Sequence, residues 1–166
     1  MPNKKPVKLD AINRKILASI HLQSDITNAK LAEKVNLSPA ACSQRTKALR
    51  DAGYYFNCHA EVDLDRICEH VIAYVEFILS DNSLESRRQF EAEIELIPEF
   101  MDCLRLSGGT DYISFTCCTN FAELNRICDE LSAKKELNIK KIITRPVLER
   151  SKFYLGYPIA KLKWFE

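Results

Sequence analysis

A chain of 166 residues that is 46% apolar and 28% charged can bury a core as one domain or as two small ones. No apolar run approaches the ~20 residues of a membrane-spanning helix, and the basic start, Met1–Lys8, lacks the apolar segment of a signal peptide and reads as a short mobile tail. The net charge of +1 hides an asymmetry, because residues 1–60 hold ten Lys/Arg against four Asp/Glu, and residues 61–166 hold fourteen against nineteen. A basic half favours a polyanion and an acidic half does not, so two domains with different partners are expected in a cytoplasmic protein.

Leu9 to Gln23 predicts a first helix, with Asp10 placed to cap it and Ile12, Ile16, Leu17 and Ile20 as its apolar stripe. Thr27 is placed to cap a second helix through Val35, burying Leu31, Ala32 and Val35. Asn36-Leu37 makes a turn, since asparagine tolerates positive φ. The next helix has marked ends. Ser38 can cap its free amides, Pro39 suits the first position, and Gly53 can take the left-handed closing conformation. Cys42, Thr46 and Leu49 fall on one face, while Ala40, Ser43, Gln44 and Lys47 fall on the other. Two helices joined by a short turn make a helix-turn-helix, and small or hydrogen-bonding side chains on the second suit a DNA major groove. Tyr54 to Asp63, with Tyr55, Cys58, Ala60 and Val62 in rough alternation, predicts a turn and a wing strand, completing a domain over 9–63. Residues 64–69 read as a linker.

From His70 the pattern changes. Strands are expected over 70–79, 99–106, 112–119 and 137–152, and helices over 84–97 and 120–135. In the first of these helices Phe90, Ile94 and Ile97 point inward and Glu91, Glu93 and Glu95 form a solvated face. In the second, Asn120 caps and Phe121, Leu124, Ile127, Cys128 and Leu131 share a face. The order βαββαβ is that of a ferredoxin-like sandwich over 70–166, with the last strand at a sheet edge, where Pro146 is tolerated. The fold class is therefore α+β.

These residues, taken in order, resemble the leucine-responsive/asparagine-regulator (Lrp/AsnC) family over nearly the full chain. The resemblance is carried by Leu9–Leu17, by Thr27–Val35, by Leu37-Ser38-Pro39-Ala40-Ala41-Cys42 with Arg45, Leu49 and Gly53, by Pro98-Glu99, and by Ser107-Gly108-Gly109-Thr110-Asp111-Tyr112, similar to the family's G-x-x-D-Y loop. The chain departs from the family pattern at Asn36, Gln44 and Thr46. The resemblance implies a DNA-binding regulator with a RAM-type second domain. It also implies dimerisation through that domain, further assembly such as an octamer, and an amino acid or related small molecule as effector.

On this reading double-stranded DNA meets Ser38, Ala40, Ser43, Gln44, Arg45, Lys47 and Arg50. Gln44 has the bidentate geometry for adenine, and Arg45 and Arg50 serve as phosphate anchors. The effector meets Gly108, Gly109, Thr110, Asp111 and Tyr112, where paired glycines let a ligand approach the backbone and Asp111 can pair with an α-ammonium group. A plain hairpin turn is the competing reading of that loop. Phe121, Arg145 and Val147 join the effector site on the resemblance alone.

No catalytic residue, cofactor or metal site is expected. His21, His59 and His70 lie on different predicted elements, and the seven cysteines show no C-x-x-C or zinc spacing, reading as small reduced hydrophobes. Two competing functions share the architecture. A siroheme decarboxylase-like enzyme would need a histidine-rich motif absent from this sequence. An interaction homologue without DNA affinity is opposed by the basic first half.

Overall fold

In the computed structural model, which describes residues 6–55, 62–152 and 156–164, the chain divides into two units. One is Met1–Glu61 with Lys152–Glu166, and the other is Val62–Ser151. The segment from residue 152 onward, read above as part of the second domain, therefore groups with the helical unit.

The helical unit holds α1 (Ala11–Leu22), α2 (Asn28–Val35) and α3 (Pro39–Asp51). Each helix starts where a side chain can take up orphan amides. The Asp10 carboxylate accepts the Asn13 N–H at 2.8 Å, and the Thr27 and Ser38 hydroxyls accept the N–H groups of Lys30 and Ala41. Pro39 occupies the first helical position of α3. Asn36 closes α2 at φ 55, and Gly53 follows α3 at φ 79. The core is Ile16, Leu17, Leu31, Ala32, Val35, Cys42 and Leu49. The expected wing strand runs through 56–61, outside the described residues.

A polar network ties α3 to α1. Arg45 Nη1 donates to Asp10 Oδ2 at 2.7 Å and to Asn13 Oδ1 at 3.0 Å. Asn13, 4% exposed, donates in turn to the Lys8 carbonyl at 2.7 Å. Asp10 thus caps one helix with one oxygen and holds another with the second. The Arg45 guanidinium beside Asp10, with the Asn13 amide, holds that carboxyl below the usual carboxylate range.

The second unit is a four-stranded antiparallel sheet of β1 (Val71–Leu79), β2 (Leu104–Arg105), β3 (Tyr112–Cys118) and β4 (Ile139–Pro146), in the order β2-β3-β1-β4. With α4 (Leu84–Glu95) and α5 (Phe121–Ala133) the chain order is βαββαβ, the ferredoxin-like arrangement expected. Alternation along the strands sends Ala73, Val75, Phe77, Leu79, Tyr112 and Cys118 into a core shared with Phe90 and Ile94 of α4 and Leu124, Ile127 and Leu131 of α5. β4 lies at the edge, which accommodates Pro146.

Two strands are shorter than periodicity suggests. Along 99–106 regular pairing survives only at Leu104–Arg105, with an isolated bridge from Phe100 to Thr116. The ladder breaks at Asp102, whose carboxylate accepts the Phe115 N–H at 2.7 Å and whose carbonyl accepts the Ser114 hydroxyl. At 137–152 a 3₁₀ turn over Lys135–Leu137 and left-handed Asn138 delay the strand to Ile139, and the strand ends at Pro146.

The Asp10–Arg45 pair generates a pH prediction. A carboxyl held low in the folded state stabilises above its unfolded value of about 3.9, and that contribution is lost as pH falls through the folded value. Asp10→Asn keeps a capping oxygen and removes the charge. It is expected to lower the helical unit's stability at pH 7 by about 0.5–1 kcal/mol, the range for a half-exposed pair. Thermal unfolding followed by circular dichroism should show the difference from wild type shrinking below about pH 4.

Candidate nucleic-acid interface and effector loop

Helix α3 presents Ala40, Ser43, Gln44, Lys47 and Arg50 as one exposed stripe, with Ser38 exposed at its start. The stripe follows from helical spacing once Cys42 and Leu49 are driven into the core at 0% exposure. Thr46, half-buried, returns its hydroxyl to the Cys42 carbonyl at 2.8 Å. Arg50 lies 5.2 Å from the centre of the Tyr55 ring, a cation–π contact that leaves the residue exposed. Arg45 is the exception among the predicted DNA contacts. It points to Asp10 and Asn13, so the reading as a phosphate anchor gives way to one as a positioning residue for α3.

In the second unit the loop Ser107–Asp111 is closed by the Leu106 N–H on the Asp111 carbonyl at 2.8 Å. Gly108 sits at φ +126, a conformation that side chains other than glycine's rarely adopt, and nothing stands within 4 Å of a Cβ built at Gly109. Asp111 is engaged by its own chain. Oδ2 accepts the Leu79 N–H at 2.8 Å, and Oδ1 accepts from Asn82 Nδ2 at 2.6 Å. The role expected of it, pairing with an α-ammonium group, has to share a carboxylate that already pins the loop to the end of β1.

Tyr112 is a core residue, 1% exposed, so its expected place in an open ligand loop is revised. Its ring packs 4.7 Å from that of Phe90, and its hydroxyl donates to Glu91 Oε1 at 2.7 Å. Burial and the Glu91 carboxylate push the phenol well above its ordinary range. Glu91 and Glu93 are accordingly not a simple solvated face, for Glu93 pairs with Lys134.

Sequence reasoning missed Glu76. It accepts the Thr110 hydroxyl at 3.0 Å and pairs with Arg145 Nε, joining two predicted effector residues through a third. The Arg145 guanidinium, then the Thr110 hydroxyl, hold its carboxyl below the usual range. A lone carboxylate inside the apolar run Val71–Leu79 was the available signal. Phe121 and Val147 lie elsewhere. Val147 donates its N–H to Ile72 at 2.8 Å, and Phe121, 51% exposed, starts α5 just beyond β3. The register places Tyr112 opposite Phe77 and Cys118 opposite Val71, so these two residues stand at the sheet end away from the glycine loop. Six residues of strand separate the ends, about 20 Å. A single chain does not bring the expected effector residues together.

Among the described residues no group of three metal-ligating side chains gathers. His70 directs Nδ1 to the Cys68 carbonyl at 3.2 Å and lies 3.7 Å from Asp65, a set without a nucleophile on the ring. Burial pushes the Cys103 and Cys118 thiols up to about 11, away from thiolate chemistry. A shallow cavity of ≈ 530 Å³ between α5 and β4, lined by Asn125, Asp129, Lys141 and Thr144 among others, contains none of the predicted effector residues.

Removing the Asp111 carboxylate leaves the Leu79 N–H, on a residue 5% exposed, without its acceptor. Asp111→Ala is expected to cost about 1–3 kcal/mol in urea unfolding of the full chain. An unchanged midpoint and slope would assign the carboxylate no structural role.

Comparison with known proteins places both halves. Residues 9–54 match a family model described as winged helix-turn-helix DNA-binding, and residues 72–154 match the Lrp/AsnC ligand binding domain. The chain is 32% identical over 124 residues to the transcriptional regulatory protein DoeX of Halomonas elongata, spanning 75% of this chain and 78% of that one. It is 30% identical over 127 residues to the leucine-responsive regulatory protein of Haemophilus influenzae, spanning 76% of each. A transcriptional regulator of Neisseria meningitidis, solved as its L-Met complex, superposes with TM-score 0.79 at 26% identity, covering 92% of this chain and 97% of that one. No helix among the described residues is long and apolar enough to cross a membrane. With a DNA-binding helix-turn-helix followed by a ligand-binding domain, the chain belongs to the Lrp/AsnC family of effector-responsive transcriptional regulators.

Proposed function

We propose that α3 enters a DNA major groove and reads it with Ser38, Ala40, Ser43, Gln44, Lys47 and Arg50. The observation that carries this is the exposed stripe on the second helix of the helix-turn-helix, at i, i+3, i+4 and i+7 from Ala40. Gln44 suits a bidentate contact with adenine, Lys47 and Arg50 suit acceptor atoms and phosphates, and Ala40 suits a thymine methyl. Such a regulator works in the cytoplasm, where its DNA is.

The effector, on the same reading, is an amino acid or a related small molecule, and the working form is a dimer that assembles further, such as an octamer. Two features support assembly. The sheet face opposite the helices carries Ile72, Tyr74, Ile78, Ile113 and Phe115, with Tyr74 43% exposed and its ring 5.0 Å from that of Phe115. An apolar sheet face left open by its own helices suits a second copy. The expected effector residues also fall at opposite ends of the sheet, so a site containing all of them needs the glycine loop of one copy beside Phe121 and Val147 of another. The relative solved with L-Met supports an amino acid as the ligand class.

Two measurements test the reading. In a salt titration of DNA binding, Lys47→Ala should weaken affinity roughly three- to tenfold and flatten the dependence on log salt by about one ion, whereas Arg45→Ala should lower stability and leave that slope unchanged. A slope lost with Arg45 and retained without Lys47 would reverse the assignment. In light scattering, Tyr74→Glu should shift the chain to monomer, and an unaltered mass would remove the sheet face from the interface.

A further inference from the structure

Residues 156–164 lie beyond both matched family regions, which end at 54 and 154, yet the segment folds with the helical unit. Its contacts are specific at both ends. Gly156 sits at φ +85, a conformation that other side chains rarely adopt, and a Cβ there would stand 2.5 Å from His21 Nε2 and displace that ring. The Tyr157 N–H donates to His21 Nε2 at 2.5 Å, and the tyrosine ring stacks on the imidazole with centroids 5.5 Å apart and planes within 5°. The 3₁₀ turn Ile159–Lys161 then carries the chain to Trp164. That ring packs against the helical core cluster and lies 5.6 Å from the Arg14 guanidinium.

Arg14 and His21 are seven residues apart, two turns along one face of α1, and Tyr157 and Trp164 meet them in the opposite direction. The segment therefore spans α1 as a two-point strap. The same helix begins at Asp10 and Asn13, the residues that hold Arg45 of α3. Eight residues separate Gly156 from Val147, which continues the pairing of β4.

We propose that residues 156–164 are a strap that steadies α1 and, through the Asp10–Asn13–Arg45 network, the DNA-reading helix. The proposal rests on the assignment of α3 as the reading helix.

Trp164 is the sequence's one tryptophan, so its fluorescence reports the strap directly. The experiment compares acrylamide quenching and DNA affinity for the full chain and its Gly156→Ala variant, with circular dichroism confirming that both are folded. Gly156→Ala is expected to raise the quenching constant at least about twofold and weaken DNA binding roughly fivefold. If that variant does not fold, Tyr157→Ala, which removes the ring stacked on His21, replaces it with the same expectations. Unchanged quenching would overturn the strap, and increased quenching with DNA affinity unchanged would overturn its hold on α3. A wild-type chain that binds no DNA would count against the functional reading instead, and the quenching comparison would still decide whether the strap is seated.

Discussion

The helical unit depends on one arginine. Cys42 and Leu49 pack α3 into the bundle core, but apolar contacts are non-directional. A guanidinium shared between Asp10 and Asn13 adds directional, charge-assisted bonds between two helices distant in sequence. Burial of Cys42 and Leu49 points Ser43, Gln44 and Lys47 outward together, and the Arg45 bonds add direction to that packing. Asp10 couples helix start and helix orientation in one carboxylate.

The ligand-binding unit follows a similar economy of side chains. Asp111 satisfies a backbone donor at the end of β1 and thereby places a loop whose Gly108 only glycine readily suits. Glu76 links that loop to β4 through Thr110 and Arg145. Both carboxylates bridge elements that are distant in sequence. Tyr112, one residue on, belongs to the core and makes the junction rigid.

Local chemistry was legible in the sequence. The caps at Asp10, Thr27, Ser38 and Asn120, the closure at Gly53 and the βαββαβ order all depend on neighbours a few residues away. What could not be read depends on long-range partners. The side chains of Arg45 and Arg50 look equally suited to phosphate until Asp10, 35 residues from Arg45, claims one of them. The strand at 99–106 carries strand-like residues, and only the Asp102 side chain shows why its ladder breaks. Glu76 sits inside an apolar run, where alternation marks only the apolar members and its partners Thr110 and Arg145 are 34 and 69 residues away. The strap was absorbed into the second domain because nothing between Pro146 and Gly156 resembles a boundary, although Gly156-Tyr157-Pro158 is a turn signal.

The proposed role of α3 is that Gln44 and its neighbours discriminate base pairs. The most direct measurement is the affinity of wild type and Gln44→Ala for a duplex selected from random sequence and for its single-base variants, at fixed salt. The substitution is expected to abolish about 1–3 kcal/mol of discrimination at one A·T pair and to leave the other positions intact. Discrimination unchanged at every position would contradict it.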